Sequence, residues 1–305
     1  MCGICGAFSP TPALDPAIAA ALPAMTATLA ARGPDAEGRF ADAHAALGHR
    51  RLSVVGVADG RQPMSNEDGS IQVVFNGEVY NHRELRAWLH ARGHVFRTGS
   101  DTEAIVHAYE ELGEACVERL RGMFAFALYD ARRRELLLAR DRLGKKPLYY
   151  QVAGGTILFA SEIKALRASP AWDGALADEA LETYLCLGYL PGEETTYRAV
   201  RKLPPATTLR FGAGGAVLRR YWDVEAFDRD ARPPAALAAD LEARLRESVR
   251  LRLEAEVPLG AFLSGGVDSG LVVGCMARER GGDVVATTVG FGGGAEDEVA
   301  AARIS

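Results

Sequence analysis

No run of about 18 uninterrupted apolar residues, the length a membrane-spanning helix needs, occurs in this chain of 305 residues. The opening Met1-Cys2-Gly3-Ile4-Cys5-Gly6 also lacks the charged region and apolar stretch of a secretory signal. A cytoplasmic protein with no membrane partner is the expectation. Positive charge is short as well. The 35 Lys and Arg stand against 40 Asp and Glu, a net charge of −5, and no basic stripe is evident to meet a phosphate backbone, which argues against nucleic acid as a partner. Cys2, Cys5, Cys116, Cys186 and Cys275 are odd in number and widely spaced. That spacing excludes a disulfide framework and a cysteine-rich zinc site, and leaves most of them as small buried hydrophobes. The six histidines all precede residue 108 without the paired carboxylate or cysteine spacing of a metal site, so none is assigned to a metal. Internal repeats are absent, as are low-complexity tracts beyond alanine-rich helices.

What is present is a length that favours two domains over one, in an ordinary globular composition. Short apolar runs at 45–55, 71–75, 123–129, 136–139, 148–152 and 157–160 read as strands. Gly154-Gly155 and residues 130–134 read as hairpin turns, which makes that sheet largely antiparallel. Helices are predicted over 17–31 and over 83–91, the latter with Leu85 and Leu89 on one face. A third opens at Ser100-Asp101-Thr102-Glu103, a capping box in which Ser100 caps the helix and Glu103 reaches back. Composition shifts after Tyr221-Trp222, where residues 228–234 are charged and end in Pro233-Pro234 ahead of an amphipathic helix over 235–253. The predicted division is a domain over 2–222, a linker over 223–234 and a second segment over 235–305. That last segment reads as one β-α-β unit of a parallel sheet: strand 257–263, glycine turn, helix 268–280, strand 284–291.

Cys2 is the first residue that demands a chemical reading. Removal of Met1, favoured by the small side chain behind it, leaves a thiol and a free α-amine on one residue. An amine with an ordinary pKa of about 7.7–8.0 can accept the thiol proton, so one terminus supplies both nucleophile and general base. On position alone, a cysteine that merely occurs early is the commoner case. Acyl transfer from an amide also needs oxyanion donors. Phe75-Asn76-Gly77-Glu78-Val79-Tyr80-Asn81 offers an amide side chain beside a glycine N–H at a strand end, although Asn-Gly is equally the commonest hairpin turn.

Seven segments in order carry a resemblance: Cys2-Gly3-Ile4, Arg32-Gly33-Pro34-Asp35, His49-Arg50-Arg51-Leu52-Ser53, Asn76-Gly77-Glu78-Val79-Tyr80-Asn81, Gly99-Ser100-Asp101-Thr102-Glu103, Arg121-Gly122-Met123-Phe124-Ala125-Phe126 and Arg140-Asp141-Arg142-Leu143-Gly144. Together they resemble the class II glutamine amidotransferase domain of the glutamine-hydrolysing asparagine synthetases, over the whole region before the linker. The resemblance implies an α+β fold, the four-layer αββα sandwich of the amino-terminal-nucleophile hydrolases. It implies Cys2 as the attacking thiol, and Asn76 with the Gly77 N–H as the oxyanion hole. The implied glutamine pocket has Arg51 on the α-carboxylate and Asp101 on the α-ammonium, completed by Glu78 and the backbone of Leu52, Ser53, Val54 and Val55. Opposite charges at the two ends of the α-carbon would select free glutamine over peptide-bound glutamine. The duller alternatives are a surface arginine at 51, a helix-dipole partner at Asp101, and a solvated or ion-paired turn at Arg140-Asp141-Arg142.

Phe262-Leu263-Ser264-Gly265-Gly266-Val267-Asp268-Ser269 follows an apolar strand and opens a helix, where unpaired N–H groups face an anion. No Gly-Lys-Ser/Thr follows, which excludes the lysine-containing phosphate loop and leaves phosphate site and plain turn as equal readings. The segment resembles the pyrophosphate loop of the ATP pyrophosphatases, which in the asparagine synthetases adenylate a carboxylate, aspartate first of all, so that ammonia displaces AMP. By carry-over, ATP is met by Leu263, Ser264, Gly265, Gly266, Asp268, Ser269 and Val289, with magnesium on Asp268 and an Asp-Glu pair at Asp297-Glu298. The fold so implied is the beginning of a doubly wound parallel α/β nucleotide domain. Such a domain needs about five parallel strands. Only two are predicted, so the expectation is a fragment of a longer synthetase or a vestigial nucleotide segment. Gly93-His94-Val95-Phe96-Arg97-Thr98 and residues 116–127 look especially like the exosortase-associated amidotransferases of bacteria, whose acceptor lies in polysaccharide biosynthesis. That acceptor and a non-catalytic glutamine-binding module are the two alternatives to amidation of aspartate, and a homodimer is an assembly that each admits. Cys2 argues against the related β-lactam-forming synthetases, which usually lack the nucleophile.

Overall fold

The computed structural model describes residues 1–224, 230–290, 292 and 298–304. Phe291, at the end of a predicted strand, Asp297 of the Asp-Glu pair and residues 225–229 of the predicted linker lie outside the described residues. The chain divides into two compact units, Met1–Val224 and Glu225–Ser305.

The first unit carries strands β1 (Gly3–Phe8), β2 (Ala36–Ala41), β3 (Ala45–Arg51), β4 (Met64–Ser65), β5 (Ile71–Val79), β6 (Gly122–Asp130), β7 (Glu135–Arg140), β8 (Tyr149–Ala153), β9 (Thr156–Ala160), β10 (Val200–Lys202), β11 (Thr207–Gly212) and β12 (Gly215–Arg220). Its helices are α1 (Pro16–Ala20), α2 (Leu22–Ala27), α3 (His82–His90), α4 (Asp101–Leu112), α5 (Cys116–Arg119), α6 (Ile163–Leu166) and α7 (Asp178–Leu187). The strands form two six-stranded sheets, ordered β10-β8-β9-β1-β3-β2 and β12-β11-β7-β6-β5-β4. Their pairings are antiparallel, as the hairpin signals predict.

Period-two alternation along the strands sorts the apolar side chains into three buried layers. Ile4, Phe8, Ala45 and Leu47 of the first sheet meet Val74, Ala125, Ala127 and Leu138 of the second. On the outer face of the second sheet, Val73, Phe75, Phe124 and Phe126 pack against Leu85 and Leu89 of α3 and Ile105 of α4. On the outer face of the first, Cys5, Ala7, Leu158 and Ala160 pack against Ile18 of α1, Leu22 and Met25 of α2, and Leu166 of α6. Each fully buried Leu or Phe contributes roughly 1.5–3 kcal/mol. Helix, sheet, sheet, helix is the predicted αββα sandwich.

Four local expectations need correction. The helix predicted over 17–31 is two short helices, because Pro23 has no N–H to donate and stands where α2 restarts. The strand predicted over 45–55 ends at Arg51, and 52–55 form a loop. Asn76-Gly77 is neither a turn nor a strand end: β5 runs on to Val79, pairing Asn76 with Ala125 and Gly77 with Phe124. A Cβ on Gly77 would lie 2.1 Å from the Met123 carbonyl oxygen, so glycine is what lets the ladder continue. At α4 the Ser100 hydroxyl does cap, accepting the Thr102 N–H at 3.2 Å, but Glu103 does not reach back. Its carboxylate takes the Arg97 and Thr98 N–H groups at 2.7 and 2.8 Å and so fastens the preceding loop.

The second unit holds α8 (Pro234–Arg250), β13 (Gly260–Phe262), α9 (Val267–Arg280), β14 (Val285–Thr287) and α10 (Val299–Ala302). β13 and β14 pair in parallel, Gly260 with Val285 and Phe262 with Thr287, which is the predicted β-α-β unit. Its buried cluster is small: Val249, Cys275 and Met276 with flanking Leu245 and Leu259. No described helix is long and apolar enough to cross a membrane. All five cysteines are free, and Cys5, Cys116 and Cys275 are buried as expected.

Candidate active site

The same alternation that points Ile4 between the sheets points Cys2 there too, and it directs Arg51 two steps beyond Leu47 and Asn76 one step beyond Val74. The three emerge at one end of the sandwich, where they line a single pocket with Leu52, Val54, Val55, Gly77, Glu78 and Asp101. Of the residues predicted for the glutaminase site, only Ser53 does not line it. Its N–H instead donates to Asp35 Oδ2 at 2.8 Å.

Cys2 Sγ lies 3.4 Å from the Leu52 N–H, and the Cys2 carbonyl accepts Arg32 Nε–H at 2.8 Å, which holds the chain start in place. Arg32 is itself anchored by Glu162 at 3.1 Å. Burial pushes the thiol up and the Met1 α-amine down from their ordinary values. A buried thiol is thus a reluctant acid, and a partly buried amine is more available as a base.

Asn76 is 1% exposed, and neither Oδ1 nor Nδ2 has a hydrogen-bond partner. An unsatisfied buried polar group costs about 1–3 kcal/mol, and such groups are rare in folded chains unless something else completes them. The neighbouring backbone is tied down. Phe75 N–H donates to Gln62 Oε1 at 2.7 Å, and the Phe75 carbonyl accepts His49 Nε2–H at 3.1 Å. Burial holds that imidazole down at about 3, so His49 is a neutral strut between the sheets.

Arg51 is buried and is not a free fork. It donates to the carbonyls of Val55 at 3.1 Å, Gly56 at 2.5 Å and Val57 at 3.3 Å, so the residue expected to meet a carboxylate also shapes the 52–57 loop. Gly60 leaves room for it, since a Cβ there would sit 2.5 Å from Arg51 Nη2. Asp101, first residue of α4, accepts the Val79 N–H at 2.8 Å and so joins the helix to the end of β5. Burial pushes its carboxyl up to about 6, and the Glu78 charge adds to this.

Gln62, Thr102 and Lys146 also line the pocket, and the sequence reading missed them. Gln62 is recognisable only from the fold, because its Nε2 reaches Thr102 Oγ1 at 3.2 Å across forty residues of chain. Lys146 is placed by the Arg140-Asp141-Arg142 turn, in which Asp141 is buried and both arginines are half-buried. Asp141, 1% exposed, accepts the N–H groups of Phe124, Leu143, Lys145 and Lys146 at 3.0–3.1 Å. Arg140 donates to the carbonyls of Gly144, Lys146 and Leu203 at 2.6–2.8 Å. The clamped turn buries Lys146 to 5% exposure, and desolvation lowers its pKa.

In the second unit, Leu263 closes β13 with its side chain buried, and its N–H donates to the Thr287 carbonyl at 3.0 Å. Gly265 takes φ +78, and Gly266 is the N-cap of α9. Ser264 and Ser269 close the turn through their hydroxyls at 2.9 Å. Asp268 stands exposed in the first turn, and Val289 is exposed beyond β14. The glycine turn and helix start fit an anion, and the exposed carboxylate fits a cation beside it.

Residues 1–222 match the family model for the glutamine amidotransferase domain, and residues 240–305 match that for asparagine synthase. Asparagine synthetase [glutamine-hydrolyzing] 3 of Bacillus subtilis is 38% identical over 257 residues, covering 83% of this chain and 42% of that protein. Asparagine synthetase [glutamine-hydrolyzing] 1 of the same organism is 35% identical over 292 residues, covering 95% and 46% respectively. The chain thus spans less than half the length of these curated relatives. Among solved structures, a B. subtilis glutamine phosphoribosylpyrophosphate amidotransferase complexed with ADP and GMP aligns with TM-score 0.52 at 18% identity, over 94% of this chain and 65% of that one, a likeness of fold. On the match over residues 1–222, with an asparagine synthase segment behind it, the chain belongs to the glutamine amidotransferase family.

Proposed function

We propose that the first unit hydrolyses free glutamine to glutamate and ammonia, with Cys2 as nucleophile, and that the ammonia is destined for a carboxylate activated by ATP. The observation that carries this reading is the buried, unpartnered Asn76 amide in the pocket that also holds Cys2. Once Met1 is removed, the Cys2 α-amine accepts the thiol proton, and Sγ attacks the side-chain carbonyl carbon of glutamine. The oxyanion is met by Asn76 Nδ2–H and the Gly77 N–H. This supplies the orphaned amide with the acceptor it lacks, and supplies it most strongly in the transition state. Collapse expels ammonia, carrying the proton held by the amine, and leaves a thioester that water hydrolyses to glutamate. Asp101 and Glu78 would hold the α-ammonium, and Arg51 the α-carboxylate alongside its loop carbonyls.

In the second unit, Gly265, Gly266 and the start of α9 would receive the pyrophosphate of ATP, with Ser264 and Ser269 fixing the turn. Leu263 and Val289 would flank the nucleoside. Asp268 would hold magnesium, which neutralises pyrophosphate charge when bound. Aspartate is the proposed acceptor, on the names carried by the relatives, and a homodimer and a cytoplasmic setting belong to the same proposal. The test is mass spectrometry of the mature chain after incubation with a glutamine-mimicking electrophile. The expected label is on Cys2 in molecules lacking Met1. Labelling elsewhere, or an intact Met1 in every molecule that releases ammonia, overturns the mechanism.

A further inference from the structure

Away from the pocket, the loop after α3 and the exposed side of α4 bring two histidines onto one carboxylate. Glu110 Oε1 is fixed by Asn66 Nδ2–H at 2.9 Å, which leaves Oε2 facing His107 Nδ1 at 2.7 Å and His94 Nδ1 at 3.4 Å. Each ring also faces a second carboxylate with its far nitrogen: His94 Nε2 lies 2.9 Å from Glu111, and His107 Nε2 lies 3.8 Å from Glu103. A neutral imidazole has a single N–H, so a ring between two carboxylates must present a lone pair to one of them. Two imidazolium rings would repel each other across the 4.9 Å between their centroids. His107 Nε2 is buried and has no hydrogen-bond partner, a second sign that the arrangement is incomplete as it stands.

A cation held by both Nδ1 atoms and Glu110 Oε2 removes the conflict. Each ring then binds through Nδ1 and turns Nε2–H outward to its second carboxylate, the support that metal-bound imidazoles usually receive. We propose that His94, His107 and Glu110 form a structural site for a zinc-class divalent ion. One ligand atom from each of the three residues lies within 4.8 Å of the others. Zinc bonds of about 2.0–2.1 Å in tetrahedral geometry need ligand edges of roughly 3.3 Å, so the side chains must adjust, and a water molecule would take the fourth position. His107 and Glu110 stand one turn apart on α4. His94 comes from the loop that runs through Arg97-Thr98, held by Glu103, to the Asp101 carboxylate, so the ion would staple the approach to the glutamine pocket. The absence of regular metal spacing in the sequence is explained: one ligand lies thirteen positions before the next, on a separate element.

The test is calorimetric titration of the full chain with zinc, together with cobalt substitution read by absorption. One equivalent should bind to the wild type and to Cys2→Ala, with the cobalt form showing no thiolate charge-transfer band. His94→Ala, on the more accessible ligand, and Glu110→Gln should each weaken binding by at least about 100-fold. Zinc should raise the Tm of the wild type by several degrees and leave His94→Ala unmoved. No stoichiometric binding, an equivalent retained in both variants, or a thiolate band would each overturn the site. The two substitutions spare the Cys2 pocket, so a failure of this inference is distinguishable from a failure of the glutaminase reading.

Discussion

In the unit Met1–Val224, Phe75 on β5 and Phe126 on β6 are 2% and 0% exposed, whereas in Glu225–Ser305 Phe262 on β13 is 81% exposed and Val285 on β14 is 68% exposed. A parallel sheet is ordinarily covered on both faces. Here the antiparallel sheets are covered by helices and by each other, and the parallel pair shows apolar side chains to solvent. The sites follow the same division. The first pocket is walled by Met1 and Cys2 ahead of β1, by β3, β5 and α4, and by Met123 and Lys146 of its own unit, while the glycine turn of the second stands at one helix start. Enclosure lowers the local dielectric and strengthens each polar contact. The first unit therefore holds an enclosed polar pocket, and the second holds a glycine turn at a helix start.

The largest expected effect breaks that comparison at the nucleophile. Cys2→Ala should cut ammonia release from glutamine by roughly 10⁴-fold or more without lowering the Tm, since the side chain lies in the pocket and not in the core. Residual turnover near the wild-type rate, measured by coupled glutamate assay, would remove Cys2 from the mechanism.

Next in size is Asn76→Ala. If the amide is an oxyanion donor, kcat falls by about 10²–10³-fold with little change in KM. If it were a structural group, stability would fall with activity. Since Asn76 has no partner to lose, the Tm should stay within a degree or two of wild type. Parallel steady-state kinetics and thermal melts separate the two.

How much of this was legible in the sequence depends on whether a residue's chemistry or its setting defines its place. Cys2, Asn76, Gly77, Glu78, Arg51 and Asp101 are residue types that amide hydrolysis of an amino acid requires, and all six line one pocket. Lys146 lies outside the seven segments that carry the resemblance, and only the Asp141 and Arg140 clamp buries it. Asn76-Gly77 reads as a turn by local propensity, and nine cross-strand registers with β6 override that preference. The break at Pro23 was signalled by the proline itself. β12, GAVLRR on an exposed edge, leaves almost no periodic trace, and β2 alternates but with only glycine, alanine and one phenylalanine on its inner face. His94 and His107 meet Glu110 only because α4 lies beside the loop after α3, which no spacing rule anticipates.

A smaller effect concerns pH. Burial raises Asp101 to about 6, so the carboxylate that would hold the glutamine ammonium forms only above that pH, and kcat/KM should rise through pH 6. Asp101→Asn should abolish that limb and raise KM by about 100-fold. Stability runs the other way. The unfolded chain loses this proton near pH 4, so the folded state binds more protons between about pH 4 and 6. The contribution is full below pH 4 and lost as pH rises through 6. At pH 8, Asp101→Asn should therefore be more stable than wild type by on the order of 2 kcal/mol, checked by urea unfolding. A variant both less active and less stable would place Asp101 in the scaffold.

The smallest effect tests the second unit. Phe→Ala in a packed core costs about 3–5 kcal/mol, because transfer energy and a cavity are lost together. Phe262, four-fifths exposed, has little of either to lose, and Phe262→Ala should change the unfolding free energy of its unit by less than about 0.5 kcal/mol. The measurement should be repeated across protein concentration. A loss above about 2 kcal/mol that grows on concentration would mean that a second copy covers the β13–β14 sheet. The contrast between the units would then belong to the single chain and not to the assembly, and the proposed homodimer would have its interface on the exposed parallel strands.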